Sequence, residues 1–290
     1  MQDDGLPPLR DIINRHGLRA DKKFGQNFIL DLNVTRRIAR QAGDLSNCDV
    51  VEIGPGPGGL TRGLLMEGAR KVHVIEADDR FMPALEEIAA AYPERLNIIA
   101  GDALHIRPDA LTDAPYRIVS NLPYNIGTAL LTDWLDGGWQ DDAWSPRFLS
   151  MTLMFQKEVA QRITAQAGEK HYGRLAVLAN WLCETELAFE VDRQVFVPPP
   201  KVTSAIAHLV PRPAPLAEAE PKTLATLTAA AFGQRRKMLR ASLKQICSNP
   251  SALLSAAGID ETARAEVLNI DEFCSSHACW QNNSLRETPL

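Results

Sequence analysis

The chain is predicted to fold as an α/β domain built on an open, mainly parallel sheet, followed by a small domain of helices alone. Three observations predict it. Apolar runs of strand length alternate with helix-period segments between residues 49 and 210, the pattern of a sheet with helices on both faces. The first run feeds straight into a glycine-rich turn, Gly54-Pro-Gly-Pro-Gly-Gly59, and then a helix. Beyond the extended, stiff Pro211-Arg-Pro-Ala-Pro215 the periodicity is helical throughout. The expected domains are therefore 1–213 and 214–290.

Taken in order, residues 1–8 read as a disordered lead. Leu9, Ile12 and Ile13 fit a short amphipathic helix in a basic segment that ends at Lys22 and Lys23. Phe24-Gly-Gln-Asn-Phe28 is a polar turn between aromatics, and Asp31 is expected to cap a helix reaching Ala42. Strands are expected at 49–53, 72–76, 96–100 and 116–120, with helices from 60 and over 79–92 between them. Asn121-Leu-Pro-Tyr124 then turns the chain into a helix over 128–135. A long apolar strand at 148–155 precedes helices near 157–167 and 174–184, and strands near 187–191 and 205–210 are expected to close one edge as a hairpin. The second domain is expected to hold helices at 222–232, 234–247, 249–257, 261–268 and 271–280.

Composition narrows the function classes. At 290 residues, 45% hydrophobic and 23% charged, the chain is long enough for a sizeable core and ordinary for a soluble protein. No apolar run approaches the roughly 18–20 residues that span a bilayer. The N-terminal Met-Gln-Asp-Asp-Gly-Leu-Pro-Pro is acidic and unlike a secretory signal, so a cytoplasmic protein with no membrane association is expected. Five scattered cysteines without a C-x-x-C pair point to reduced thiols. Cys274, His277 and Cys279 match no usual zinc spacing, and no metal is expected. A net charge of −5 means that any nucleic-acid partner must be held by local basic patches.

The chemistry gathers at the carboxyl ends of the predicted strands, where ligands bind in open α/β sheets. Gly54 and Gly56 let the backbone approach a ligand, and the following helix N-terminus adds positive potential. Gly54, Gly56 and Gly59 also satisfy the G-x-G-x-x-G spacing of a nicotinamide dinucleotide site. Glu76, ending the second strand, suits ribose hydroxyls under either reading. Three features favour S-adenosylmethionine: a carboxylate at Glu52, prolines at 55 and 57 where a dinucleotide needs N–H donors, and Asp102 placed to accept from an adenine amine. Asn121 and the Leu122 carbonyl offer two acceptors to an exocyclic amine, Pro123 fixes the turn and brings no competing N–H, and Tyr124 offers a ring to stack on.

These segments, in this order, resemble the KsgA-type ribosomal RNA adenine dimethyltransferases: Phe24-Gly-Gln-Asn-Phe28, Glu52-Ile-Gly-Pro-Gly-Pro-Gly-Gly-Leu-Thr61, Val74-Ile-Glu-Ala-Asp78, Gly101-Asp-Ala103, Asn121-Leu-Pro-Tyr-Asn125, Gln156-Lys-Glu-Val159, Tyr172-Gly-Arg-Leu175, Phe196-Val-Pro-Pro-Pro-Lys-Val202 and Phe232-Gly-Gln-Arg-Arg-Lys-Met-Leu-Arg240. The resemblance implies a Rossmann-like, class I S-adenosylmethionine-dependent methyltransferase domain with a small all-helical C-terminal domain. It implies two methyl groups placed on N6 of each of two adjacent adenosines near the 3′ end of small-subunit ribosomal RNA, within an assembling 30S particle, by a monomer. Asn27 and the Ile29 backbone would cover the cofactor, Gly54 would touch its methionine end, Glu76 its ribose and Asp102 its adenine. Asn121 would face both cofactor and substrate. Phe196 is expected to form the second face of the stack on the target base, against the plainer reading of a buried strand residue.

RNA capture would use basic patches. On a helix over 234–247, Arg236, Arg240 and Lys244 share a stripe with Lys237 beside it, and Arg235 precedes them with no acid in the segment. Lys22 and Lys23 join this set, with Lys157, Arg162, Lys170 and Arg174 as weaker members. The rival readings are an adenine methyltransferase on large-subunit RNA or DNA, a non-catalytic assembly or transcription factor on the same fold, and a nicotinamide oxidoreductase.

Overall fold

Strands form where apolar, β-branched stretches can be buried on both faces. Asp49–Ile53 is buried at every position, and Lys71–Glu76 at all but the first. In this computed structural model, which describes residues 4–21 and 26–282 (for 280–282 the backbone alone), seven strands make one sheet. They are β1 (Asp49–Ile53), β2 (Lys71–Glu76), β3 (Leu96–Ala100), β4 (Tyr116–Asn121), β5 (Phe148–Gln156), β6 (Cys183–Val191) and β7 (Ser204–Pro211), in the spatial order β3-β2-β1-β4-β5-β7-β6. Strands β1 to β5 pair in parallel, and β7 runs antiparallel to β5. The order turns back between β1 and β4, so a crevice opens at their carboxyl ends. The α/β class agrees with the sequence.

The helices are α1 (Leu9–Arg15), α2 (Leu32–Gln41), α3 (Gly59–Met66), α4 (Met82–Ala91), α5 (Gly127–Asp136), α6 (Lys157–Thr164), α7 (Arg174–Leu182), α8 (Pro221–Gly233), α9 (Leu239–Ser242), α10 (Pro250–Ala256) and α11 (Ile270–Asn282). Asp31 caps α2 as expected, its Oδ1 accepting from Asn33 N–H at 2.8 Å. Ile12, Ile38, Leu64, Val72, Leu85 and Met154 belong to one continuous core against the sheet. Each such side chain contributes about 1.5–3 kcal/mol by burial. Among the described residues, no helix is long and apolar enough to cross a membrane.

The chain forms two compact units, residues 1–160 with 186–211, and residues 161–185 with 212–290. The helical unit thus includes 161–185, which a single cut at 213 assigns to the first domain. Segment 212–217 is also bound within that unit: Arg212 and Leu216 N–H donate to the Leu182 and Trp181 carbonyls, and the Trp181 indole N–H to the Ala217 carbonyl.

Three expectations are corrected. Part of the N-terminal lead is ordered: Asp4 pairs with Arg62 of α3 in a fully buried contact, and the Arg62 guanidinium also donates to the Pro7 carbonyl. No continuous helix spans 234–247. α8 stops at Gly233, residues 234–238 turn, and only α9 and a single 3-10 turn at Leu243–Gln245 follow. The cause is tertiary: Leu239 and Arg240 N–H donate to the Ala263 and Glu261 carbonyls rather than to a preceding helical turn. The helix expected at 261–268 gives way for a local reason, since the Asp260 side chain accepts from Thr262 N–H and Oγ–H, fixing a turn that competes with a helix. A 3-10 turn at Ala265–Val267 is what remains.

Candidate active-site cleft

A cleft of about 710 Å³ opens at the carboxyl ends of β1, β2, β3 and β4. It is lined by Asn27, Ile29, Gly54, Gly56, Glu76, Asp102, Asn121, Leu122, Pro123 and Tyr124. Residues far apart in sequence therefore face one space because parallel strands end at one edge.

The glycine turn is shaped by its own hydrogen bonds. Gly56 has φ +55°, a conformation that side-chain-bearing residues rarely adopt, and its N–H donates to Glu76 Oε2 at 2.9 Å. Gly54 N–H donates to the Ile75 carbonyl and Gly58 N–H to the Pro55 carbonyl. Pro55 and Pro57 have no N–H. The Gly54, Gly56 and Gly58 N–H groups are thus committed internally, which disfavours a dinucleotide whose phosphates need donors from this turn. Gly59 answers a different need: a Cβ there would run into the Ile29 carbonyl oxygen, so only glycine lets segment 26–29 lie against the start of α3.

That segment forms a strap along the cleft. Phe28 and Ile29 pair antiparallel with Val197 and Phe196, a two-residue ladder too short for any sequence signal. Gln26 Nε2 donates to Asp78 at 3.2 Å, and Asn121 Nδ2 donates to the Asn27 carbonyl at 3.3 Å. The latter bond orients the Asn121 amide so that Oδ1 is the acceptor on offer. The turn after it closes through the Pro123 carbonyl, which accepts from Ile126 and Gly127 N–H, and not through the Leu122 carbonyl.

The acids of the cleft differ sharply. Glu52 is 1% exposed, accepts from Thr61 Oγ1 at 2.7 Å, and is pushed up to about 8 by burial, with Glu76 nearby adding to the effect. Burial also raises Glu76, which accepts from Gly56 and Asp78 N–H. Asp78 is held down to about 2 by hydrogen bonds from Arg80. Asp102 is exposed at the rim and accepts from Leu104 N–H at 2.9 Å.

A pH prediction follows from Glu52. Its carboxyl binds a proton more tightly folded than unfolded, so its contribution to stability is whole below about pH 4.5 and is lost as pH rises through about 8. Glu52→Gln keeps a carbonyl for Thr61 and removes the titration. Thermal melts of the variant should therefore fall less between pH 5 and 8.5 than those of the parent; parallel curves would assign the slope to other groups.

Not every expected residue reaches the cleft. Phe196 is 1% exposed and packs in the core cluster, with its backbone held by Ile29, so it presents no face to a ligand here. The basic residues lie in the helical unit, where Arg235 pairs with Glu266 at 3.1 Å and Arg240 with Glu261 at 2.9 Å. Arg236, Lys237 and Lys244 are exposed and make no ion pair among the described residues. Lys22 and Lys23 lie outside the described residues. His277 Nε2 accepts from Glu220 N–H, a structural use that the Cys-His-Cys spacing did not suggest. Gln26, Asp78 and Arg80 were missed as rim residues: Gln26 reaches the cleft through Asp78, far along the chain, and Arg80 acts by pairing with that same Asp78.

Residues 17–282 match the family model described as ribosomal RNA adenine dimethylase. A Paracoccus denitrificans protein named ribosomal RNA small subunit methyltransferase A is 59% identical over 272 residues, covering 94% of this chain and 95% of the relative. A Sinorhizobium medicae protein of the same name is 56% identical over 276 residues, covering 95% and 98%. Among solved structures, the 23S rRNA methyltransferase ErmE is similar at TM-score 0.67 and 28% identity, over 88% of this chain and all of that one. A dimethyladenosine transferase from Plasmodium falciparum shares the fold at TM-score 0.69 and 24% identity, over 85% and 94%.

Proposed function

The chain belongs to the ribosomal RNA adenine dimethylase family, and from that premise we propose that it transfers methyl groups from S-adenosylmethionine to N6 of two adjacent adenosines near the 3′ end of small-subunit ribosomal RNA. The product is N6,N6-dimethyladenosine at each position. In this reading it works as a monomer, in the cytoplasm, on a partly assembled 30S particle. The observation that carries the reading is the pair of acceptors, Asn121 Oδ1 and the Leu122 carbonyl, beside a half-buried tyrosine in a cleft edged by Glu76 and Asp102.

The residues suit the cofactor. Glu76 and Asp102 provide acceptors for ribose hydroxyls and an adenine amine, Gly54 and Gly56 allow close backbone approach, and Asn27 and Ile29 of the strap cover the ligand. S-adenosylmethionine supplies a methyl group already activated on a sulfonium. What remains for the protein is alignment and amine activation. The N6 lone pair of adenine is delocalised into the ring; two acceptors on the amino group pull it towards tetrahedral geometry and return density to nitrogen. Neither an amide nor a carbonyl titrates at neutral pH, so the departing proton passes to water. Tyr124 stacks on the base, which must be unpaired or drawn out of its helix to enter.

Exposed Arg236, Lys237 and Lys244 supply RNA contact in this reading, with Arg235 and Arg240 partly neutralised by their acids. Replacing all three by glutamine should weaken RNA binding and reduce the slope of log K against log salt by about two to three. An unchanged slope would remove them from the interface.

The reading is tested by transfer of labelled methyl to small subunits that lack the modification, followed by digestion and nucleoside analysis. Dimethyladenosine from two adjacent positions is expected. Label confined to large-subunit RNA would favour the ErmE-like target, and binding without label would favour an assembly factor.

A further inference from the structure

Ser204 opens β7 opposite Gln156, is fully buried, and has no local sequence link to the cleft. Its hydroxyl lies 3.0 Å from the phenol oxygen of Tyr124, either atom able to donate. Sheet topology makes this contact: β7 lies next to β5, and β5 next to β4, whose end carries the Asn121-Leu-Pro-Tyr124 turn. Tyr124 is half-buried, and its ring lines the cleft while its hydroxyl end is tied to the sheet. A ring held only at its Cβ can swing about χ1; one held at both ends keeps its axis fixed.

We propose that Ser204 is a positioning residue that fixes the Tyr124 ring, and that this tether serves the second methyl transfer to each adenosine more than the first. The inference rests on the dimethyltransferase reading above. In each transfer the N6 lone pair forms the new C–N bond while the electron pair of the breaking S–C bond stays on sulfur, and an N6 proton leaves to water. Unmodified adenine presents two N–H groups, one for Asn121 Oδ1 and one for the Leu122 carbonyl. After the first transfer a single N–H remains, so one acceptor is lost and the base is held by one hydrogen bond and the stack. The position of the ring then decides how the amine is aimed.

Tyr124→Phe and Ser204→Ala each break the tether, from opposite ends, and Tyr124→Phe keeps the stacking face. Each should lower the rate of the second transfer about 3- to 10-fold, the range of one neutral hydrogen bond, with a smaller effect on the first. N6-methyladenosine should therefore accumulate where the parent yields only the dimethyl product. The double variant should match the worse single variant, since both remove the same contact. S-adenosylmethionine affinity, measured by calorimetry, should stay unchanged throughout. Equal slowing of both transfers, or additive effects of the two substitutions, would overturn the proposal. Failure of the parent to make any dimethyladenosine would instead overturn the underlying reading. If Ser204→Ala does not fold, Tyr124→Phe, which keeps the aromatic ring and loses only the tether, still decides the matter through its monomethyl to dimethyl ratio.

Discussion

Replacing Asn121 with alanine is expected to lower methyl transfer by about 100-fold or more, the effect of deleting one preorganised polar contact at a reacting centre. The side chain has two tasks at once. Its Nδ2 holds the Asn27 carbonyl of the strap at 3.3 Å, and, as Asn121 lines the cleft, its Oδ1 is the acceptor left for a ligand. Alanine removes both, so the comparison with Asn121→Asp is informative. Aspartate retains an acceptor and sets a carboxylate against the Asn27 carbonyl, which should loosen the strap. Single-turnover rates and cofactor affinity separate the tasks. Alanine should lose the rate of the chemical step with cofactor affinity changed only a few-fold, whereas aspartate should chiefly weaken cofactor binding. Turnover by Asn121→Ala within about tenfold of the parent would end the amine-acceptor role.

The parts legible in sequence are those whose physics is local. The strap-to-cleft distances were not visible, yet Glu76, Asp102 and Asn121 could be chosen because each ends an apolar strand, and parallel strands end together. Asp31 was legible as a cap because its acceptor serves an N–H two residues on. The misreadings have the opposite character. Phe196 carries the mark of an aromatic beside a proline run, but its surroundings come from Ile29 and the core cluster, far back in the chain. The stripe of Arg236, Arg240 and Lys244 assumed a helix that the carbonyls of Glu261 and Ala263 break by capturing two N–H groups. Ser204 and Tyr124 meet through strand order, which spacing does not encode.

Asp4→Ala should be strongly destabilising, although Asp4 sits in a stretch whose composition reads as disordered. The pair it forms with Arg62 has side chains only 1% and 2% exposed, with Nη2 and Nε of the guanidinium each 2.7 Å from a carboxylate oxygen. Such a pair is not by itself a large net gain, because desolvation of both charges offsets the attraction. Removing one partner is a different matter: a guanidinium stays buried with, among the described residues, only the Pro7 and Leu6 carbonyls to accept from it. Breaking a buried pair in this way costs about 3–5 kcal/mol, which lowers Tm by roughly 6–20 °C in a domain of this size. Methionine at Arg62 together with leucine at Asp4 removes both charges and should restore most of the loss, since matched apolar replacement is often neutral. Calorimetric melts of the two single variants and the double variant close the cycle. A double variant as unstable as Asp4→Ala would mean that the arm, and not the charge left behind, supplies the stability. In that case deletion of residues 1–7 in the Arg62→Met background should show the same loss, and α3, which carries the glycine turn of the cleft at its start, would owe its position in part to the packing of Leu6.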